Sequence, residues 1–115
     1  MVRVSEQTLS TLGEIAAWSR VQFPGATVAS TLRHIRKEVD EIERAIEAGD
    51  MEALAVEFAD LIHLATQGII CAMPDADPDA VTRAKLAVNM DREWADPDEH
   101  GVVEHVRSDQ SGREQ

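Results

Sequence analysis

Apolar residues recur along this chain at intervals of three and four, and that period predicts helices rather than strands. At ~100° per residue, the segment from about Thr27 to Ala48 carries one compact stripe of Val28, Leu32, Ile35, Val39, Ile42 and Ile46. The next segment carries a second stripe of Leu54, Phe58, Leu61, Ile62, Ala65 and Ile69. Gly49 suits the C′ position that closes the first of these helices. Asp50 suits the N-cap of the second, which runs to about Met73 before Pro74. So short a connection leaves only an antiparallel hairpin. Upstream, a helix from Ser5 to about Arg20 is expected to face inward through Leu9, Leu12, Ile15, Ala16 and Trp18, until Phe23-Pro24-Gly25 breaks it. Downstream, Asp77-Pro78 supplies an N-cap and then proline at the first helical position. That fourth helix carries Val81, Ala84, Lys85, Val88 and Asn89 and is expected to end near Trp94.

The reading is therefore an all-α fold of four helices in one domain over residues 1–107. Residues 96–107 form a polar arm, and 108–115 a disordered tail. There is no internal repeat. A bundle this small cannot bury long amphipathic helices on every apolar side, so a homo-dimer or homo-tetramer is expected.

Composition narrows the function. A net charge of −11 over 115 residues argues against an extended nucleic-acid surface. It does not argue against a nucleotide, provided cations carry positive charge to the site. With two Trp, two Phe and no Tyr, the core must be mainly aliphatic. Cys71 is the single cysteine and sits in the apolar run Gly68-Ile69-Ile70-Cys71, which favours a buried, inert thiol. No secretory leader is recognisable, and the apolar runs read as too short to span a bilayer, so a cytoplasmic location without membrane attachment is expected.

The chemistry lies in four carboxylates. Glu38-x-x-Glu41 and Glu57-x-x-Asp60 each project from one side of a helix, on matching flanks of the two stripes. Fifteen residues separate Glu41 from Glu57, which brings the pairs to similar heights on an antiparallel hairpin. Four negative charges that close repel strongly, and hard divalent cations resolve the conflict. All-oxygen ligation favours Mg²⁺, Mn²⁺ or Ca²⁺. Lys85, Asn89 and Arg92, at i, i+4 and i+7, share one helix face and offer donors suited to phosphate oxygens.

The spacing Glu38-x-x-Glu41 … Glu57-x-x-Asp60 resembles the signature of the MazG-like all-α nucleoside triphosphate pyrophosphohydrolases. Lys85-x-x-x-Asn89-x-x-Arg92 resembles that superfamily's segment on the following helix. Trp18 to Phe23-Pro24-Gly25, then His34-Ile35-x-Lys37-Glu38, and the ending Gly101-Val102-Val103-Glu104-His105-Val106-Arg107 are similar to its phage-type dATP/dGTP pyrophosphohydrolase branch, including MazZ-like enzymes. The resemblance covers about residues 15–107. The chain departs from it at Phe23-Pro24-Gly25, where the branch tends to have Phe-Gly-Pro.

The resemblance implies cleavage of purine deoxynucleoside triphosphates, dGTP before dATP, to the monophosphate and pyrophosphate with Mg²⁺ or Mn²⁺. It implies Glu38, Glu41, Glu57 and Asp60 as metal ligands, with Glu38 and Glu41 catalytic, and Lys85, Asn89 and Arg92 as phosphate ligands. It also implies the host cytoplasm if the protein is phage-encoded. Trp18, Phe23 and His34 are the candidates to contact the base, although the core reading is slightly favoured for Trp18, and His34 reads equally as a partner to a site residue or an exposed histidine. His63 reads as structural. Trp94 reads as a packing anchor. His105 and Arg107 have no role in a bundle and are open to a nucleotide or a neighbouring subunit. Two other readings compete: a non-catalytic acidic helical module that binds a partner protein, and a carboxylate-bridged di-iron bundle. The latter requires two carboxylate-x-x-His elements, whereas Glu41 is followed by Arg44.

Overall fold

Capping residues set the helix boundaries in the computed structural model, which describes residues 10–107. Ser10, with an extended backbone, accepts a hydrogen bond from the Gly13 amide at 3.0 Å and opens α1 (Thr11–Gln22). Thr27 and Ser30 exchange side chain-to-backbone bonds of 3.0 and 2.9 Å in a reciprocal cap at the start of α2 (Val28–Ala48). Gly49 closes α2 in the left-handed conformation at φ 70°, where a Cβ would be strained. Asp50 then caps α3 (Met51–Ala72) through a 3.0 Å bond from the Ala53 amide. The Asp77 carboxylate accepts from the Asp79 amide at 3.0 Å where α4 (Pro78–Asp91) begins. The described residues are thus all-α in four helices, as the periodicity predicted.

The chain divides into two units, residues 1–81 and 82–115, with the division inside α4. In the first, α3 packs along α2 as an antiparallel hairpin and also against α1. Ile15 and Ala16 of α1, Ile42 of α2, and Leu64 and Ile70 of α3 form the apolar core. A buried polar chain ties the three helices together. The Ser19 hydroxyl donates to Gln67 Oε1 at 3.0 Å, and Gln67 Nε2 donates to the Thr31 hydroxyl at 2.8 Å. The Thr31 Oγ1 lies 4.0 Å from Cys71 Sγ. Each bond inside this seam replaces one to water, so the chain fixes the register of the helices more than it adds stability.

The second unit holds the rest of α4 and the arm. Ala95 donates to the Glu104 carbonyl at 2.9 Å and Val106 to the Glu93 carbonyl at 2.7 Å, folding the arm into a short hairpin that pairs Trp94 with His105. Asp98 organises its turn by accepting from the His100 and Val102 amides at 2.8 and 2.9 Å. Gly101 supplies the positive φ of 81°.

Several expectations are corrected. Ser5 and Leu9 lie outside the described residues; α1 is capped at Ser10 and reaches Gln22. Trp18 is not in the core but 52% exposed. α4 ends at Asp91, because Arg92 turns back onto the Asn89 carbonyl at 3.3 Å and Trp94 joins the hairpin. The two apolar stripes are not the packing seam either. On α2 the buried positions are Thr31, Glu38 and Ile42, a face rotated by roughly 60° from the stripe at ~100° per residue. Val28, Leu32, Val39 and Ile46 stay about half exposed, as do Phe58 and Ile62 on α3. Finally, α3 is long and apolar enough to cross a bilayer by length and composition. Reading only uninterrupted runs hid this, because Glu57, Asp60 and His63 divide the segment. The expected tail at 108–115 lies outside the described residues.

Candidate functional site

Rotation of the α2–α3 seam carries Glu38 from the flank of the apolar stripe to the centre of the contact. Glu38 is 5% exposed. One oxygen from each of Glu38, Glu41 and Glu57 lies within 4.8 Å of the others. Two buried oxygens there, Glu38 Oε2 and Glu57 Oε1, have no hydrogen-bond partner. Carboxylates only accept, so two facing carboxylates cannot satisfy one another without a proton or a cation between them. The Glu38 carboxyl responds accordingly. Its pKa rises from 4.5 to about 7, first through loss of solvent, then because a proton on it could be shared with the Glu57 carboxylate, and then through the charges of Glu57, Glu41 and Asp60. Asp60 is exposed and outside the three-residue cluster, but its charge is felt at Glu38.

This donor set suits a hard divalent cation. All its donors are carboxylate oxygens, two are buried and unpartnered, and the repulsion that raises the Glu38 pKa is what a cation relieves.

A cavity of about 640 Å³ opens from the carboxylates. Its lining includes Glu38 and Asp60 together with Trp18, Phe23, Pro24 and Gly25. Trp18 meets Phe23 edge to face, with ring centroids 5.3 Å apart. His34 is exposed and lines the same cavity, so the structure brings together Trp18, Phe23 and His34 as the sequence suggested. The exposed Trp18 thus has a structural setting, beside Phe23 in the lining of a cavity that also holds Glu38 and Asp60.

Among the lining residues that were not anticipated, three make polar or aromatic contacts. Ser19 and Gln67 belong to the buried polar chain and also reach the cavity. His63, read from sequence as structural, presents its ring to Trp18 at 6.4 Å. Its Nδ1 lies 2.8 Å from the Ala59 carbonyl, an acceptor only, which makes Nδ1 the protonated nitrogen of that contact. The signal for Gln67 was available: an amide between Thr66 and Gly68-Ile69-Ile70 needs a buried partner. His63 follows Asp60 by three residues and so shares its face.

In the second unit, Arg92 Nη1 donates to Asn89 Oδ1 at 3.1 Å, and the Trp94 indole donates to the Asn89 carbonyl at 2.9 Å. Lys85 and Arg92 both act on His105, whose pKa is lowered first by partial burial and then by the charges of Arg92, Arg107 and Lys85. Trp94 is the anchor foreseen for it, meeting His105 edge-on at 5.9 Å.

The model of the dATP/dGTP pyrophosphohydrolase family matches residues 11–112 of this sequence. The chain belongs to the dATP/dGTP pyrophosphohydrolase family. It is a hydrolase, and family membership sets aside the partner-binding module and the di-iron bundle. A dATP/dGTP diphosphohydrolase of Cyanophage S-2L is 31% identical over 93 residues, which cover 81% of this chain and 82% of that protein. A solved Cyanophage S-2L MazG-like pyrophosphohydrolase, bound to dGDP and three catalytic Mn²⁺ ions per active site, matches with a TM-score of 0.58 at 27% identity. That match covers 93% of this chain and 96% of the other. The family's suspected phage-type branch is therefore the correct one.

Proposed function

We propose that this pyrophosphohydrolase cleaves purine deoxynucleoside triphosphates between the α and β phosphates, giving the monophosphate and pyrophosphate, with dGTP its best substrate. Glu38, Glu41, Glu57 and Asp60 hold Mg²⁺ or Mn²⁺, as the Mn²⁺-bound S-2L relative supports. The observation that carries the reading is the pair of orphaned carboxylate oxygens, Glu38 Oε2 and Glu57 Oε1, beside an aromatic-walled cavity.

Divalent ions at this site neutralise phosphate charge and activate water for in-line attack. The protein's own part is positional. The seam fixes the carboxylates at a spacing that is unfavourable without cations, so no reorganisation is required when they bind. Glu38 and Glu41 line up the water, and one of the two accepts its proton. Lys85, Asn89 and Arg92 donate to the phosphate chain. Trp18 and Phe23 wall the base, and His34 lies within the same cavity to meet its edge or the sugar. The half-exposed stripe of Val28, Leu32, Val39 and Ile46 is buried between subunits of a homo-dimer or homo-tetramer. The protein works in the cytoplasm, that of the host if it is phage-encoded.

Competition among equal dGTP, dATP, dCTP and dTTP tests the substrate. Pyrophosphate should be released fastest from dGTP, then dATP. Faster hydrolysis of either pyrimidine overturns the purine assignment, and dATP ahead of dGTP overturns the preference alone.

A further inference from the structure

The arm after α4 brings two residues far along the chain back beside that helix. Pairing of Trp94 with His105 is held by backbone bonds on both sides, Ala95 to Glu104 at 2.9 Å and Val106 to Glu93 at 2.7 Å. His105 therefore lies against the Trp94 ring. Arg107 follows it two residues on, so alternation along the extended segment gives it the same side.

The groups gathered there are nearly all donors. Arg92 uses one guanidinium nitrogen on Asn89 Oδ1 at 3.1 Å, leaving most of its donors uncommitted. That contact directs the Asn89 oxygen towards Arg92 and leaves the amide nitrogen to donate elsewhere. Lys85, Arg92 and Arg107 make no ion pair among the described residues, and their charges all reach the His105 ring, opposed only by Glu104. Convergent cations opposed by one carboxylate repel one another, and this happens in a chain whose net charge is −11. An anion rich in acceptor oxygens matches such a cluster.

We propose that the arm is a phosphate clamp, in which His105 and Arg107 join Lys85, Asn89 and Arg92 in one site for a polyphosphate chain. The chain is that of the nucleotide substrate or of free pyrophosphate, and the identification rests on the function proposed above. Arg107 supplies a fork of donors. His105 supplies a ring nitrogen whose position is fixed by Trp94. The hairpin turn at Asp98 and Gly101 is what lets both reach back.

Calorimetric titration of the full chain with inorganic tripolyphosphate at fixed Mg²⁺ tests this without hydrolysis. Arg107→Gln should weaken binding by roughly tenfold, and Arg107→Gln with His105→Asn by more. Arg107→Lys should recover part of the loss, because it keeps the charge but not the fork. Affinity for dGTP should fall in step, while dGMP, lacking the β and γ phosphates, should be affected much less. The stabilisation by Mg²⁺ alone should not change. Arg107 is exposed at the end of the arm, so the single variant reports even if the double variant unfolds. A folded Arg107→Gln protein that binds tripolyphosphate as the wild type does overturns the clamp, whether or not dGTP is hydrolysed. Loss of tripolyphosphate binding in that variant, with a wild type that hydrolyses no deoxynucleotide, supports the clamp and overturns the substrate reading instead.

Discussion

Glu38→Gln should make this protein more stable without metal and less stable with it. The side chain is 5% exposed and faces Glu57, Glu41 and Asp60, which together with desolvation push its pKa from 4.5 to about 7. At 1.36 kcal/mol per unit, that difference corresponds to roughly 3 kcal/mol of penalty for the fully ionised site. The seam is only two helices thick and Glu41 beside it is exposed, so solvent screening reduces the figure to ~2 kcal/mol. Glutamine has similar volume, carries no charge, and can donate its amide to Glu57, which relieves the orphaned oxygen. At pH 8 in EDTA the variant should therefore melt roughly 5–10 °C above the wild type. With Mn²⁺ at about 100 times its dissociation constant, the wild type should gain ~2.7 kcal/mol and overtake the variant, which gains little. Differential scanning fluorimetry over a Mn²⁺ series reads both effects. A variant that is less stable in EDTA, or that keeps the whole Mn²⁺ response, would refute the account of the seam.

The wild-type apo protein should lose stability as pH rises from 4.5 through about 7, because the folded state holds the Glu38 proton more tightly than the unfolded chain does. Melting in EDTA across that range checks the sign; stability increasing over the same interval would contradict it. Gln67→Leu leaves the Ser19 and Thr31 hydroxyls without their amide partner, and should cost ~1–3 kcal/mol in urea unfolding. Its Mn²⁺ response should survive, and loss of that response would tie the polar chain to the metal site. Trp18→Ala should raise the KM for dGTP severalfold with little change in stability, since the ring is 52% exposed. An unchanged KM would remove Trp18 from the base pocket.

Helix boundaries were legible because Gly49, Asp50 and Asp77-Pro78 act locally, through their own backbone geometry and hydrogen bonds. The carboxylate spacing was legible for a similar reason: three-residue intervals on a helix need no tertiary information. The seam was not. A stripe of Val28, Leu32, Val39 and Ile46 has higher hydrophobicity than a face containing Thr31 and Glu38, yet the latter is buried within the chain. Periodicity finds the most apolar face, not the face that a hairpin of the same chain uses. Gln67 was overlooked because a single amide barely changes an apolar average, although burial obliges it to find partners. His63 reads as structural from sequence, but its aromatic neighbour Trp18 comes from α1, a tertiary contact that spacing on one helix does not reveal. The convergence of His105 with Lys85 and Arg92 depends on a hairpin whose few pairing residues carry no alternation to detect.

The central claim is metal-dependent cleavage of the α–β phosphate bond at the Glu38–Glu57 seam. The most direct measurement is product analysis of dGTP incubated with the wild type and with Glu57→Gln, in Mn²⁺ and in EDTA, by anion-exchange chromatography. The account predicts dGMP and pyrophosphate in equal amounts from the wild type in Mn²⁺, and turnover lower by orders of magnitude in EDTA or in the variant. Formation of dGDP and orthophosphate, or full activity of Glu57→Gln in either condition, would contradict it.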